Sequence, residues 1–207
     1  MTVQESKYKF NTAVILAGGK SSRMGFDKQF LEINNERLMK VVIEKLKNEF
    51  NEIIIVTNKP EEYRDFNCKI ISDKIKGMGP LSGIHAGLIE SSSEYIYVMA
   101  CDMPNVNLQY VRYLKGIIEK LDIDVCVTMS RDGIEPFHGF YSKKLIDKIE
   151  EYLSSNRRSL NGLILISNAY LVEEEKAREF SPDLSMFLNL NTEKDLEEFF
   201  SMNKKFQ

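Results

Sequence analysis

Apolar side chains occur in two rhythms along this chain, and the two rhythms alternate. One is the short unbroken run: Ala13-Val14-Ile15-Leu16-Ala17 within Thr12 to Ala17, Ile53-Ile54-Ile55-Val56, and Tyr95-Ile96-Tyr97-Val98-Met99-Ala100, with Lys69-Ile70-Ile71 as a further short strand. A run that is apolar on both alternating faces predicts a strand covered on both sides, as in a parallel sheet. The other rhythm is helical. Met39, Val42, Ile43, Leu46 and Phe50 recur at three- and four-residue spacing from Arg37 to Phe50, with lysines and glutamates between them. Beyond Tyr95 the same reading predicts a helix over 107–120, strands at Val125–Met129 and Phe137–Tyr141, a helix over 143–153, a short helix at 160–165, and a strand near Tyr170–Val172. Phe187 to Asn189 then leads into a last helix over 193–200. Strand and helix in turn predict an α/β fold of three layers, a mostly parallel sheet with helices on both faces and residues 13–17 central in it. No linker, repeat or low-complexity tract interrupts the pattern, which predicts a single domain over 1–207.

Composition narrows the class. The 207 residues are 43% hydrophobic and 29% charged with 5 Pro and 11 Gly, which excludes disordered and collagenous chains. The formal charge of -3 supplies no overall pull towards nucleic acid or an anionic membrane, so phosphate binding has to be local. Cys68, Cys101 and Cys126 are odd in number and form no C-x-x-C pair, which argues against a disulfide framework or zinc cage and for a reducing cytoplasm. Met1 to Phe10 lacks the apolar core of a signal peptide, and no segment approaches the roughly 18 uninterrupted apolar residues of a membrane span.

In an open parallel sheet, ligands collect at the carboxyl ends of the strands. After the first run comes Leu16-Ala-Gly-Gly-Lys-Ser-Ser-Arg-Met-Gly-Phe-Asp-Lys28. Gly18 and Gly19 let backbone N–H groups approach phosphate oxygens, and Arg23 and Lys28 add positive charge. It is not a Walker A loop, because Val14 holds the first glycine position, and Lys20 breaks the dinucleotide fingerprint. Asp102, in Ala100-Cys101-Asp102-Met103-Pro104, offers a carboxylate of the kind that holds Mg2+ together with substrate phosphates; a turn cap is its ordinary alternative. The loop Gly77-Met78-Gly79-Pro80-Leu81-Ser82-Gly83 precedes a helix reaching about Ile89 and suits an anion or a plain tight turn. Asn58 and Asp73 each follow a strand and read either as hydrogen-bonding groups for a base or sugar or as turn residues. Asn191 or Thr192 caps the last helix. His85 and His138 read as structural, Arg157-Arg158 as a solvated basic step.

The first loop resembles the signature of nucleotidyltransferases, in particular the molybdenum cofactor guanylyltransferases, which link GMP to molybdopterin. The later motifs occur in the same order: Gly79-Pro80-Leu81-Ser82-Gly83, Cys101-Asp102-Met103-Pro104, and Asn189-Leu190-Asn191-Thr192 followed by Asp195-Leu196. The resemblance spans about residues 12 to 200. It implies a Rossmann-like nucleotidyltransferase fold and a reaction in which the terminal phosphate of molybdopterin attacks GTP and pyrophosphate leaves, with Mg2+ as cofactor and no His, Ser or Cys nucleophile. It implies that Leu16, Ala17, Gly18, Gly19, Lys28, Asn58, Asp73 and Gly79 bind GTP. Arg23 lies over the triphosphate, Asp102 binds nucleotide and metal, and Asn189 and Asn191 lie near the molybdopterin or the metal. Arg23, Lys28 and Asp102 are then the catalytic set. The implied partners are GTP, molybdopterin and, transiently, other cofactor-biosynthesis proteins or recipient enzymes. A cytidylyl- or sugar-phosphate nucleotidyltransferase and a non-catalytic nucleotide-binding adaptor remain the alternatives. Adjacent Gly18-Gly19, where cytidylyl relatives tend to carry Ala-Gly, favours guanine.

Overall fold

The computed structural model describes residues 8–18, 32–33, 36–75, 77–190, 195 and 199. Its elements, in chain order, are β1 (Thr12–Leu16), β2 (Glu32–Ile33), β3 (Glu36–Arg37), α1 (Leu38–Lys47), β4 (Glu52–Val56), β5 (Lys69–Ile71), α2 (Pro80–Glu90), β6 (Tyr95–Ala100), α3 (Leu108–Ile118), β7 (Val125–Ser130), β8 (Gly133–Ser142), α4 (Leu145–Ser154), α5 (Leu160–Leu165), β9 (Ala169–Glu173) and α6 (Glu174–Arg178). Seven strands form one sheet in the order β5-β4-β1-β6-β8-β7-β9, and β2 and β3 pair separately. β1 is paired in parallel with β4 on one side and β6 on the other. β8 alone runs against its neighbours, β6 and β7.

The unbroken apolar runs are explained by what covers them. Ala13 and Ile15 of β1, Ile53 and Ile55 of β4, and Tyr97 and Met99 of β6 face one layer, formed by α1 and α3. Val14 and Leu16, Ile54 and Val56, and Ile96 and Val98 face the other, formed by α2, α4 and α5. Each strand alternates between two dry layers, so neither face can be polar. No helix among the described residues is long and apolar enough to cross a membrane.

Besides β2, β3 and α6, which the sequence reading did not expect, two features differ from the expected elements. The helix α2 begins at Pro80, so Leu81, Ser82 and Gly83 belong to its first turn and not to the preceding loop. Its proline at the first helical position needs no N–H partner, and its fixed φ suits the start of a helix. β8 begins at Gly133, four residues earlier than its apolar content shows, because its first half pairs with β7 across a hairpin. Register then slips between Cys126 and Thr128, and His138 takes up the extra length with φ 54°.

The fit of α2 onto β1 is close because α2 carries glycine on that face. A Cβ at Gly87 would stand 2.9 Å from Val14 Cγ2, and one at Gly83 2.8 Å from Leu16 Cδ2. Both partners are held in the core, with Val14 fully buried. At the amino end of β1, polar groups tie the sheet down. Glu52 accepts from the Ser92 backbone N–H and Oγ, both at 2.9 Å, and from Thr12 Oγ1 at 2.5 Å. Burial opposes the Glu52 charge, but these bonds, with Lys69 nearby, hold its carboxyl below the usual range.

Two outcomes are expected. Gly87→Ala should lower stability by about 1–2 kcal/mol in denaturant titration, because overpacking against Val14 outweighs the roughly 1 kcal/mol by which alanine favours a helix. Equal or greater stability of the variant would mean that α2 has room to move off β1. A carboxyl held low when folded contributes stability that is complete above its unfolded value, near pH 4.3, and is lost as pH falls through the folded one. Glu52→Gln should therefore be less stable than the parent at pH 7, by about 1 kcal/mol, with the gap closing below about pH 4. A gap unchanged from pH 3 to 7 would show that the charge contributes nothing.

Candidate functional site

The parallel strands bring the carboxyl ends of β1, β4, β5 and β6 to one edge of the sheet. The chain passes from β1 to β4 on one side and returns through α2 to β6 on the other, so this edge carries the crevice expected at a topological switch point. Backbone hydrogen bonds continue just past the strands: Ala17 N–H donates to Val56 O at 2.9 Å and Cys101 N–H to Leu16 O at 3.1 Å. They hold Leu16 and Ala17 in line and leave Gly18 to turn away exposed. Among the described residues, nothing lies within 4 Å of a Cβ placed at Gly18.

On one flank, Asn58 and Asp73 are brought together. Thr57 N–H donates to Ile71 O at 2.9 Å and Ser72 Oγ to Thr57 O at 2.8 Å, which ties the ends of β4 and β5. Asn58 Nδ2 then donates to Asp73 Oδ2 at 3.2 Å. The pair presents an amide and a carboxylate side by side, a mixed donor and acceptor edge of the kind that reads a base or sugar.

Gly79 supplies the next part. Its φ of 69° and ψ of -152° lie in a region essentially restricted to glycine, and this turn starts α2 at the crevice. The helix points its positive end there. Ser82, in the first turn, is fully buried and its hydroxyl has no hydrogen-bond partner among the described residues.

On the other flank, Asp102 follows β6 in a turn closed by Met103 N–H donating to Ala100 O at 3.2 Å. Its own carbonyl accepts from Leu190 N–H at 2.8 Å. Asn105 Nδ2 donates to Ser185 O at 3.0 Å. The late asparagine segment is therefore fastened to the Asp102 loop, and Asn189 is exposed beside it. Asn107, a neighbour in sequence, caps α3 by accepting from Tyr110 N–H at 3.0 Å.

Gly19, Arg23, Lys28 and Asn191 lie outside the described residues, as does most of the last helix expected over 193–200. Arg157 and Arg158 stand in the α4–α5 connection; Arg157 stacks on Tyr152, 4.4 Å from the ring centre. Both histidines are structural, though His85 has an acid partner that local spacing did not show: its Nε2 lies 2.8 Å from Glu150 Oε1, across to α4. His138 is buried 2.6 Å from the Tyr97 hydroxyl, and burial pulls its pKa down to about 3, so it is neutral at physiological pH. Burial also pushes the Cys126 thiol up to about 12.

Two groups escaped the reading of the sequence. Ser82 has a weak signal, its place in Gly79-Pro80-Leu81-Ser82-Gly83. The other is Glu174, buried at the end of β9, which accepts from Arg131 N–H at 2.7 Å and Arg178 Nε at 2.9 Å. Those bonds, from the Arg131 backbone first and Arg178 second, hold its carboxyl below the usual range. No local pattern announces it, since Arg131 is 43 residues away.

The family described as the MobA-like NTP transferase domain matches residues 13–167. A relative from Peptoclostridium acidaminophilum named as a probable molybdenum cofactor guanylyltransferase is 47% identical over 206 residues, covering 97% of this chain and 93% of that protein. One from Syntrophotalea carbinolica named molybdenum cofactor guanylyltransferase is 49% identical over 191 residues, covering 92% and 91%. The crystal structure of molybdopterin-guanine dinucleotide biosynthesis protein A from Archaeoglobus fulgidus superposes with a TM-score of 0.80 at 26% identity, covering 94% of this chain and 99% of that one.

Proposed function

The chain belongs to the family of MobA-like NTP transferase domains, and on that basis we propose that it transfers GMP from GTP to the terminal phosphate of molybdopterin, as a single nucleotidyltransferase domain over 1–207. The two relatives at 47% and 49% identity support the choice of reaction. The observation that carries it in the structure is the juxtaposition at the carboxyl edge: Asp102 after β6, Gly18 exposed after β1, and the asparagine segment fastened to Asp102 through Leu190.

An oxygen of the acceptor's terminal phosphate forms a bond to the α-phosphorus of GTP as the bond to the β-phosphate oxygen breaks, and pyrophosphate departs with the electron pair. The attacking oxygen is already ionised at neutral pH, so no side chain need remove a proton. The obstacle is repulsion between two anions, and catalysis consists in placing them and neutralising charge. The Gly18–Gly19 backbone, Arg23 and Lys28 are assigned to the triphosphate, Asn58 and Asp73 to the nucleoside, and the helix start at Gly79 to an anionic group. Asn189 and Asn191 are assigned to the acceptor side.

No group of three or more His, Cys, Asp or Glu side chains that could hold a metal by itself exists among the described residues. The Asp102 carboxylate fits a hard cation that takes most of its ligands from phosphates and water, and Mg2+ is the cation we assign. When bound it offsets charge on the phosphate oxygens. Cys68, Cys101 and Cys126 form no disulfide among the described residues, which suits a reducing compartment, and we place the protein in the cytoplasm.

GTP with Mg2+ should raise the melting temperature more than CTP with Mg2+ does, because a site that hydrogen-bonds guanine leaves polar groups unpaired beside the wrong base. An equal or larger shift with CTP would favour a cytidylyltransferase. Asp102→Asn keeps the shape of the turn and removes its charge. It should slow GMP transfer by about a hundredfold or more while changing folding stability by no more than about 1 kcal/mol. Titrating Mg2+ against transfer checks this, and parental rate with parental metal dependence would reduce Asp102 to a turn residue.

A further inference from the structure

His138 stands in β8 beyond the point where the register with β7 slips, and its backbone has φ 54°. A non-glycine residue held in the left-handed region carries strain, which persists only where the surroundings enforce it. Gly139 shows how close those surroundings are: a Cβ there would stand 2.6 Å from Val127 Cγ1 and 2.7 Å from the Cys126 carbonyl oxygen. The imidazole is buried, and burial keeps it neutral by pulling its pKa down to about 3. Nδ1 lies 2.6 Å from the Tyr97 hydroxyl, while Nε2 is buried with no hydrogen-bond partner among the described residues. An unmatched ring nitrogen costs folding free energy, so packing alone does not account for a histidine here.

What the ring touches does. Its edge meets Phe187, with ring centres 6.1 Å apart and planes at 71°. Tyr110 holds Phe187 from a second side, at 6.3 Å and 88°, and is itself fixed by a 2.5 Å hydrogen bond with Thr128 Oγ1 of β7. Phe187 closes the short turn Ser185–Phe187, and the Ser185 carbonyl accepts from Asn105 Nδ2 at 3.0 Å. Further on, Leu190 N–H donates to the Asp102 carbonyl at 2.8 Å. The segment 185–190 is thus tied to the Asp102 loop at both ends, and His138 with Tyr110 refers its middle to the sheet. These contacts close a circuit: β6 carries Tyr97 and leads into Asp102, Tyr97 holds His138, His138 meets Phe187, and the segment returns through Leu190 to Asp102. Asn189 lies on the last arc of that circuit.

We propose that His138 is a positioning residue for the transfer reaction: through Phe187 it fixes where the segment carrying Asn189 stands against Asp102, and so where the acceptor's phosphate is received. This rests on the reaction proposed above, in which Asn189 serves the acceptor. His138 is buried and touches neither substrate. The nucleotide side does not depend on the link, because Gly18, Asn58 and Asp73 are set by the parallel pairing of β1, β4 and β5. A small displacement at a distance is enough to slow a reaction that consists in placing two anions in line.

The test is steady-state GMP transfer to molybdopterin with Mg2+, each substrate varied in turn, for the parent, His138→Asn, Phe187→Leu and the double variant. Asparagine tolerates the left-handed backbone and removes the ring; leucine keeps apolar volume and removes the partner ring. In each single variant kcat/KM for molybdopterin should fall about tenfold or more, with KM for GTP within about twofold of the parent. The GTP-induced rise in melting temperature should persist, which shows that the variants are folded. Because both changes break one link, the double variant should be no worse than the worse single one by more than about twofold. Parental kinetics in Phe187→Leu, a matching rise in KM for GTP, or losses that multiply in the double variant would overturn the proposal. If His138→Asn does not fold, Phe187→Leu decides alone. A parent that transfers no GMP defeats the reaction and not the link, which is then read from amide hydrogen exchange. Leu190 should exchange about tenfold faster or more in Phe187→Leu, with Val14 of β1 within about threefold; a uniform change would overturn the link.

Discussion

Everything at the functional edge depends on β1 being paired in parallel on both sides and covered closely on both faces. Parallel pairing with β4 and β6 sends the ends of all three strands the same way, so the segments beginning at Gly18, Asn58 and Asp102 emerge together from distant parts of the chain. The close approach of α2 at Gly83 and Gly87 then carries the start of that helix, with Gly79, to the same edge. Larger residues at these glycines would lift α2 off the sheet and take its positive end away from the crevice.

The two edges of the sheet are built to different ends. At the amino edge, the Glu52 carboxylate, Thr12 and the serines 91–93 satisfy one another, as buried polar groups in a structural role do. At the carboxyl edge satisfaction is incomplete. The Ser82 hydroxyl, at the start of α2, is buried without a partner among the described residues. Unpaired groups cost folding free energy, and a ligand that pairs them recovers it.

Much of this was legible in the sequence. Unbroken apolar runs identified β1, β4 and β6 as two-sided strands because a dry layer on each face leaves no place for polar residues. The same logic placed Asn58, Asp73 and Asp102 at strand ends. What was not legible is long-range. The early start of β8 is hidden because Gly133 to Pro136 are only half-buried, and its pairing with β7 is made through the backbone. The beginning of α2 at Pro80 was masked by glycines read as loop, although one of them, Gly83, serves helix packing. Glu174 carries no local mark, since Arg131 is brought to it by the sheet.

The most direct test of this account is a crystal structure of the protein with GTP and Mg2+. The triphosphate should lie along the backbone at Gly18, the metal should be bound by the Asp102 carboxylate, and the nucleoside should lie towards Asn58 and Asp73. A nucleotide bound at the amino edge, or a metal coordinated away from Asp102, would contradict it.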